Sequence, residues 1–108
     1  MTLPEQGQQL RIFIDEDNTY KGKPLYEAIV YEAKELNLAG ATVTKGIMGF
    51  GADSRISIAK ILRLSSHMPV IIEIVDTPEN IEKIMPFLDE VVHKGLVTLE
   101  NIKVKVYR

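Results

Sequence analysis

Val70-Ile71-Ile72-Glu73-Ile74-Val75 is an almost unbroken β-branched run, interrupted only by Glu73. Side chains of this type fit a pleated, half-buried surface. A run this apolar marks a central strand covered on at least one face. On its N-terminal side Ser65-Ser66-His67-Met68-Pro69 reads as a turn, with Ser65-Ser66 as turn chemistry. On its C-terminal side Thr77-Pro78-Glu79 opens a helix, with Thr77 as N-cap and Pro78 at the first helical position. Ile81, Ile84, Met85, Leu88, Val91 and Val92 then fall on one helical face. Pro86 lies inside that pattern and is expected to kink the helix or split it near Lys83. Gly95 ends the segment. Leu96 to Leu99 and Ile102 to Val106 both look like strand, and the slipped alternation at Glu100-Asn101 suggests a bulge or turn.

The N-terminal half repeats the order. Leu10, Ile12 and Ile14 alternate with Arg11, Phe13 and Asp15, which is a strand with one aliphatic face. Met1 to Gln9, with Pro4, Gly7 and its glutamines, reads as a flexible tail, leaving residues 10–108 as a single domain. Asp15-Glu16-Asp17-Asn18 breaks the strand, and Gly22 and Pro24 mark a loop. Pro24 suits the first turn of a helix in which Leu25, Ala28, Ile29, Ala33 and Leu36 share a face. That helix should stop near Leu38 to Gly40, with Gly40 in a left-handed conformation. A second strand follows from Ala41 to about Met48. Residues 49–59 are the least regular part of the chain. Lys60 to Leu64 reads as a short strand, although a helix from Ser54 to Leu64 also fits.

The order strand, helix, strand, irregular segment, strand, helix, strand predicts an α+β fold. Each helix joins two strands at crossover length, so both pack on one face of an antiparallel sheet. This is the split βαβ, ferredoxin-like sandwich. It leaves the second sheet face without helices, and the apolar strands call for a partner there. A homotrimer of facing sheets would supply it.

Lys45-Gly46-Ile47-Met48-Gly49-Phe50-Gly51 carries three glycines in six residues after a strand. Backbone N–H groups in such a turn can approach an anion, phosphate above all. The simpler reading is that the glycines permit tight turns or a bulge. The pattern is neither GxxxxGK[ST] nor GxGxxG. The chain has 108 residues, 45% hydrophobic and 26% charged, with a net charge of −2. That balance gives no global attraction for nucleic acid. The lack of cysteine excludes disulfides, thiolate metal sites and a cysteine nucleophile, and fits a cytoplasmic protein. No apolar run approaches the roughly 20 residues that span a bilayer, and the N-terminus has no signal-peptide pattern.

Leu10-Arg11-Ile12-Phe13-Ile14, Gly22-Lys23-Pro24-Leu25-Tyr26-Glu27, Lys45 to Gly51 and Pro69 to Asp76 together resemble a family of small, mainly prokaryotic, uncharacterised proteins. That family is related in fold to the PII signal-transduction proteins. The likeness runs from residue 10 through nearly the whole chain. It implies a trimeric, PII-like ferredoxin fold. It also implies that the segment after Gly49 corresponds to the PII T-loop, which engages partner proteins. Adenine nucleotides bind PII proteins in clefts between subunits near the base of that loop. Carried onto this chain, the ligand-binding candidates are Gly46, Ile47, Met48, Gly49, Phe50 and Gly51, with Arg55, Lys94 and Gly95. His93-Lys94-Gly95 stands where PII proteins have a longer, glycine-rich second ligand loop (TGxxGDGKIF), which this chain lacks. The resemblance therefore points to a nucleotide such as AMP rather than to a triphosphate grip. Residues 49–68 contain no tyrosine, so no uridylylation site of the PII type is available there.

Other constellations have simpler readings. Asp15-Glu16-Asp17-Asn18 lacks EF-hand spacing and reads as a solvated acidic turn rather than a cation site. Glu73 needs a partner such as Arg63 or a lysine across the sheet, or it faces solvent. His67 and His93 are isolated, and no Ser/His/Asp set can be assembled. Lys103, Lys105 and Arg108 form a basic sheet edge or part of an anion site. The leading reading is a non-enzymatic regulator that binds an adenine nucleotide between subunits and presents a mobile loop. The alternatives are a small enzyme for a phosphorylated metabolite, with Glu73 or His93 as the acid-base group, and a purely structural interaction module.

Overall fold

A computed structural model describes residues 5–51, 56–58 and 68–108, apart from the side chains of 57 and 58. Its elements are β1 (Gln6–Asp15), β2 (Thr19–Tyr20), β3 (Lys23–Pro24), α1 (Leu25–Glu35), β4 (Thr42–Lys45), β5 (Met48–Gly49), β6 (Ser57–Ile58), β7 (Pro69–Asp76), α2 (Pro78–Val91) and β8 (Leu96–Lys103). The main sheet has the order β4-β7-β1-β8, and every neighbouring pair is antiparallel. This is the expected α+β, ferredoxin-like arrangement. The two helices share one face, where Leu10, Ile12, Ile14, Val70, Ile72 and Ile74 meet Leu25, Ile29, Ala33, Ile81, Ile84, Leu88 and Val91. Burying each of these Leu, Ile and Val side chains is worth about 1.5–3 kcal/mol, so this layer dominates the stability of the chain.

Several local expectations are corrected. The first strand starts at Gln6, so residues 6–9 are strand, where a flexible tail is expected from the sequence. Gln6 to Gln9 are held in register, Gln8 and Gln9 against β7 and all four against β8. Pro24 is the N-cap of α1 rather than part of its first turn. It also closes a small hairpin with Thr19, across a Lys21-Gly22 turn whose two residues both have positive φ, the signature of a type I′ turn. At the end of α1 the left-handed residue is Asn37, with φ 60, and not Gly40. Leu38 N–H donates to the Ala33 carbonyl and Asn37 N–H to that of Lys34, which is a Schellman motif.

Helix α2 is neither broken nor split at Pro86. Ile81 and Ile84 before the proline and Leu88 and Val91 after it are all buried, and that burial outweighs one missing backbone donor. Thr77 caps the helix as expected, its Oγ1 accepting from Asn80 N–H at 3.1 Å. Strand β8 runs without a bulge: Glu100 and Asn101 pair with Gln9 and Gln8 in one continuous register. It is an edge strand whose side chains are largely exposed, so hydrophobic alternation is not enforced there. The chain leaves the ladder after Lys103. Val104 N–H donates to the Glu5 carbonyl, and the Tyr107 hydroxyl donates to the Ala39 carbonyl. The second strand ends at Lys45 rather than near Met48, because the chain leaves the sheet at Gly46 and β5 pairs with β6 instead. Ser57-Ile58 is thus extended, against the helical alternative from Ser54. The strand expected at Lys60 to Leu64 lies outside the described residues.

Candidate functional site

The strand register sets which loops can meet. Asp15 lies opposite Pro69, Val70 opposite Lys45 and Phe13 opposite Leu96. The glycine turn after β4 and the His93-Lys94-Gly95 turn before β8 therefore sit at the same end of the sheet. They leave from opposite edges, with β7 and β1 between them. Three strand spacings separate the edges by about 14 Å. One chain does not bring the two halves of the expected site together. Arg55, the remaining candidate, lies outside the described residues.

The glycine turn is built around Pro69. Gly46 N–H donates to the Pro69 carbonyl at 2.7 Å. A Cβ on Gly46 would stand 2.8 Å from Pro69 Cγ, and one on Gly49 would stand 3.2 Å from the same atom. None of the three glycines takes a positive φ. Close approach of the chain to a proline ring, rather than a left-handed backbone, accounts for glycine at 46 and 49. Gly51 has nothing within 4 Å of its Cβ position. The turn leads into the β5–β6 hairpin, where Met48 pairs with Ile58 and Gly49 with Ser57. Gly49 turns towards Pro69, and the opposite side of the hairpin is apolar and solvent-facing, with Met48 57%, Phe50 72% and Ile56 60% exposed. Ile47 is exposed as well.

The acidic turn supports this end of the sheet. Glu16 N–H donates to the Met68 carbonyl at 2.9 Å, and the Glu16 carboxylate pairs with Lys45 Nζ at 2.8 Å. The Asn18 carbonyl accepts from Leu25 N–H, and Asn18 Nδ2 reaches the Lys94 carbonyl at 3.5 Å. Among the described residues no group of three or more His, Cys, Asp or Glu is placed to hold a metal ion. At the second turn, Lys94 and His93 are exposed. A Cβ on Gly95 would lie 2.5 Å from the Phe13 carbonyl oxygen and 2.9 Å from Ile14 Cγ2. Glycine is required there so that β8 can start flush against β1.

Glu73 lies on the helix-free face, and its partners are on the neighbouring strand. Arg11 Nε approaches its Oε2 at 3.1 Å and Gln9 Nε2 donates to the same oxygen at 2.9 Å. Arg11 reaches Glu100 as well, at 3.7 Å. Among the described residues the partner is Arg11 rather than a lysine, because cross-strand register puts Arg11 directly opposite Glu73, and Arg63 lies outside the described residues. Two structurally important residues are not evident from the sequence. Pro69 reads there only as the end of a turn, although a proline opening a strand opposite a glycine pair hints at its role. Asp76 is fully buried and accepts from Ala39 N–H at 2.7 Å, Thr77 N–H at 2.6 Å and Asn80 Nδ2 at 3.0 Å. It ties the loop after α1 to the start of α2, at the sheet end away from the glycine turn. An acidic residue directly before an N-cap is its signal.

Solved structures share this fold. A PII-like protein from Thermus thermophilus is 21% identical with a TM-score of 0.66, covering 96% of this chain and 93% of its own. CPII, a nitrogen regulatory PII-like protein from Thiomonas intermedia K12 bound to ADP, AMP and bicarbonate, is 16% identical with a TM-score of 0.63, covering 92% of this chain and 88% of its own. Among sequence relatives, a UPF0166 protein of Aquifex aeolicus is 43% identical over 97 residues, which is 88% of this chain and 90% of the relative. A second UPF0166 protein, from Methanocaldococcus jannaschii, is 38% identical over 96 residues, 88% of each chain. Residues 7–104 match DUF190, described as Uncharacterized ACR. The chain belongs to the DUF190 family, built on a PII-like fold.

Proposed function

We propose that this protein is a PII-like regulator that binds an adenine nucleotide in clefts between subunits of a homotrimer and presents the loop of residues 49–68 to a partner protein. The observation that carries the reading is topological. The glycine turn and the Lys94-Gly95 turn share one end of the sheet but leave from opposite edges, about 14 Å apart by strand spacing. A ligand held by both needs the β4 edge of one copy beside the β8 edge of another. The helix-free face, with Phe13, Ile71, Val75, Leu96 and Ile102 on it, gives copies a reason to associate. CPII, which shares the fold, is bound to ADP and AMP. The short second turn lacks the donors for a triphosphate, which favours AMP or ADP. Lys94 and Arg55 would supply positive charge, and backbone N–H groups between Ile47 and Gly51 would meet the phosphate.

Calorimetric titration with AMP, ADP, ATP and cyclic AMP, combined with native mass spectrometry, tests the proposal. Saturable binding to a trimer without turnover is the expected result. Turnover of the nucleotide would replace the regulator by an enzyme, and silence towards all four would end the nucleotide reading. Gly51→Val is a cleaner probe of the turn than Gly49→Val, since Gly49 packs on Pro69 and Gly51 does not. It should weaken binding about 5- to 150-fold, on the order of 1–3 kcal/mol, by standing where the ligand would approach the backbone. Lys94→Ala should weaken it less, as an exposed lysine acts as a screened charge.

A further inference from the structure

We propose that Pro69 is the positioning residue of the β5–β6 hairpin, and that Gly46 and Gly49 are shaped to its ring rather than to a ligand. The chain leaves the sheet at Gly46, between the end of β4 and the start of β7. At that exit three contacts converge on one residue: the 2.7 Å hydrogen bond from Gly46 N–H to the Pro69 carbonyl, and the ring Cγ 2.8 Å and 3.2 Å from where β-carbons at 46 and 49 would stand. A proline ring is the right object for such a seat. Its φ is fixed and its ring has few conformations, so it cannot swing aside as a long side chain would. It also costs the sheet little, because the first position of a strand tolerates a missing N–H.

The base below the seat is firm. Met68 is buried, its carbonyl accepts from Glu16 N–H, and Glu16 holds Lys45 at the end of β4. With Gly49 facing the ring, Met48, Phe50 and Ile56 are turned outward. Pro69 thus sets the direction in which the hairpin leaves the sheet. This role requires no ligand and stands whether or not a nucleotide binds.

A double-mutant cycle on the ligand-free protein tests it, read by amide hydrogen exchange at residues 48, 49, 57 and 58. Gly46→Ala introduces a methyl group where the ring stands, and Pro69→Ala removes the ring. Each alone should speed exchange in the hairpin about tenfold, while β1 amides stay as protected as in the wild type. The combined Gly46→Ala/Pro69→Ala protein should return to within about threefold of wild type, because the new methyl group occupies the space the ring vacates. Gly40→Ala, with nothing within 4 Å of its β-carbon position, controls for the general effect of replacing glycine. Multiplicative effects in the double mutant, or a Gly46→Ala protein indistinguishable from the Gly40→Ala control, would overturn the proposal. Should Gly46→Ala fail to fold, the same cycle with Gly49→Ala uses the looser 3.2 Å contact and must show the same rescue.

Discussion

The two faces of the sheet are made from alternate residues of the same strands, yet they are built differently. On the helix side β1 and β7 present Leu10, Ile12, Ile14, Val70, Ile72 and Ile74, all buried. On the other side the same strands present Gln9, Arg11, Phe13, Ile71, Glu73 and Val75, all half-buried. The first face is uniformly aliphatic. The second has apolar side chains around a polar centre, where Glu73 accepts from both Arg11 and Gln9. A face built only for burial inside one chain has no use for an ion pair, because water-free charges cost more than they return unless fully partnered. A face that is exposed in the single chain and covered on assembly can carry both. The helix face therefore sets the stability of the chain, and the other face is the one that the proposed association of copies would cover.

The largest effect should come from the helix face. Ile72→Ala, at the middle of β7 and fully buried, is expected to cost about 2–5 kcal/mol. Denaturant midpoints measured at several protein concentrations should show the same loss at each. A loss that vanished on concentrating the protein would mean that the two faces do not divide the work in this way.

Asp76 comes next, as the one buried charged group among the described residues. Asp76→Ala leaves the Ala39 and Thr77 N–H groups and the Asn80 amide without their acceptor. Unmet buried donors should cost about 2–3 kcal/mol. The opening should be local, so amide exchange at residues 37–40 and in the first turn of α2 should accelerate more than in β1. Uniform acceleration would show that Asp76 is part of the global core and not a latch between two loops.

The order of elements is legible in the sequence because the helix face imposes strict periods. Val70 to Val75, the stripe from Ile81 to Val91 and the alternation in Leu10 to Ile14 each report burial on one side. Where burial is not enforced, residue patterns mislead. Strand β8 lies at an edge, so Glu100-Asn101 can sit in an unbroken ladder without hydrophobic alternation. Gln6 to Gln9 pair through backbone groups that any residue offers. Pro86 does not break its helix because apolar burial on both sides of it outweighs one lost hydrogen bond. Strands β5 and β6, of two residues each, are too short to carry a period. The glycines of the turn are legible as a place where backbone comes close to something. That the neighbour is the ring of Pro69 depends on how β4 and β7 pair, which residue spacing alone does not reveal.

On the helix-free face the effects in the single chain should be smaller and should depend on concentration. Ile71→Ala is expected to cost about 1 kcal/mol in chain stability, since the side chain is only half-buried. Its main effect should be on assembly, read as a shift towards monomer in light scattering at low micromolar concentration. An unchanged oligomer would place the association surface elsewhere.

The smallest effect on the chain itself is expected from Glu73→Gln. The Arg11 and Glu73 side chains are 36% and 33% exposed, and Arg11 keeps Glu100 at 3.7 Å when Glu73 loses its charge. Pairs this accessible to solvent contribute about 0–1 kcal/mol, so the midpoint of the dilute protein should hardly move. The informative comparison is with the concentrated protein. If copies cover this face, the variant buries Arg11 without its nearest carboxylate, and assembly should weaken by more than the dilute chain does, because uncompensated buried charge is costly. Equal, small losses at both concentrations would mean that water still reaches the pair in the assembled protein. The polar centre of this face would then lie outside the interface, and its apolar rim alone would drive association.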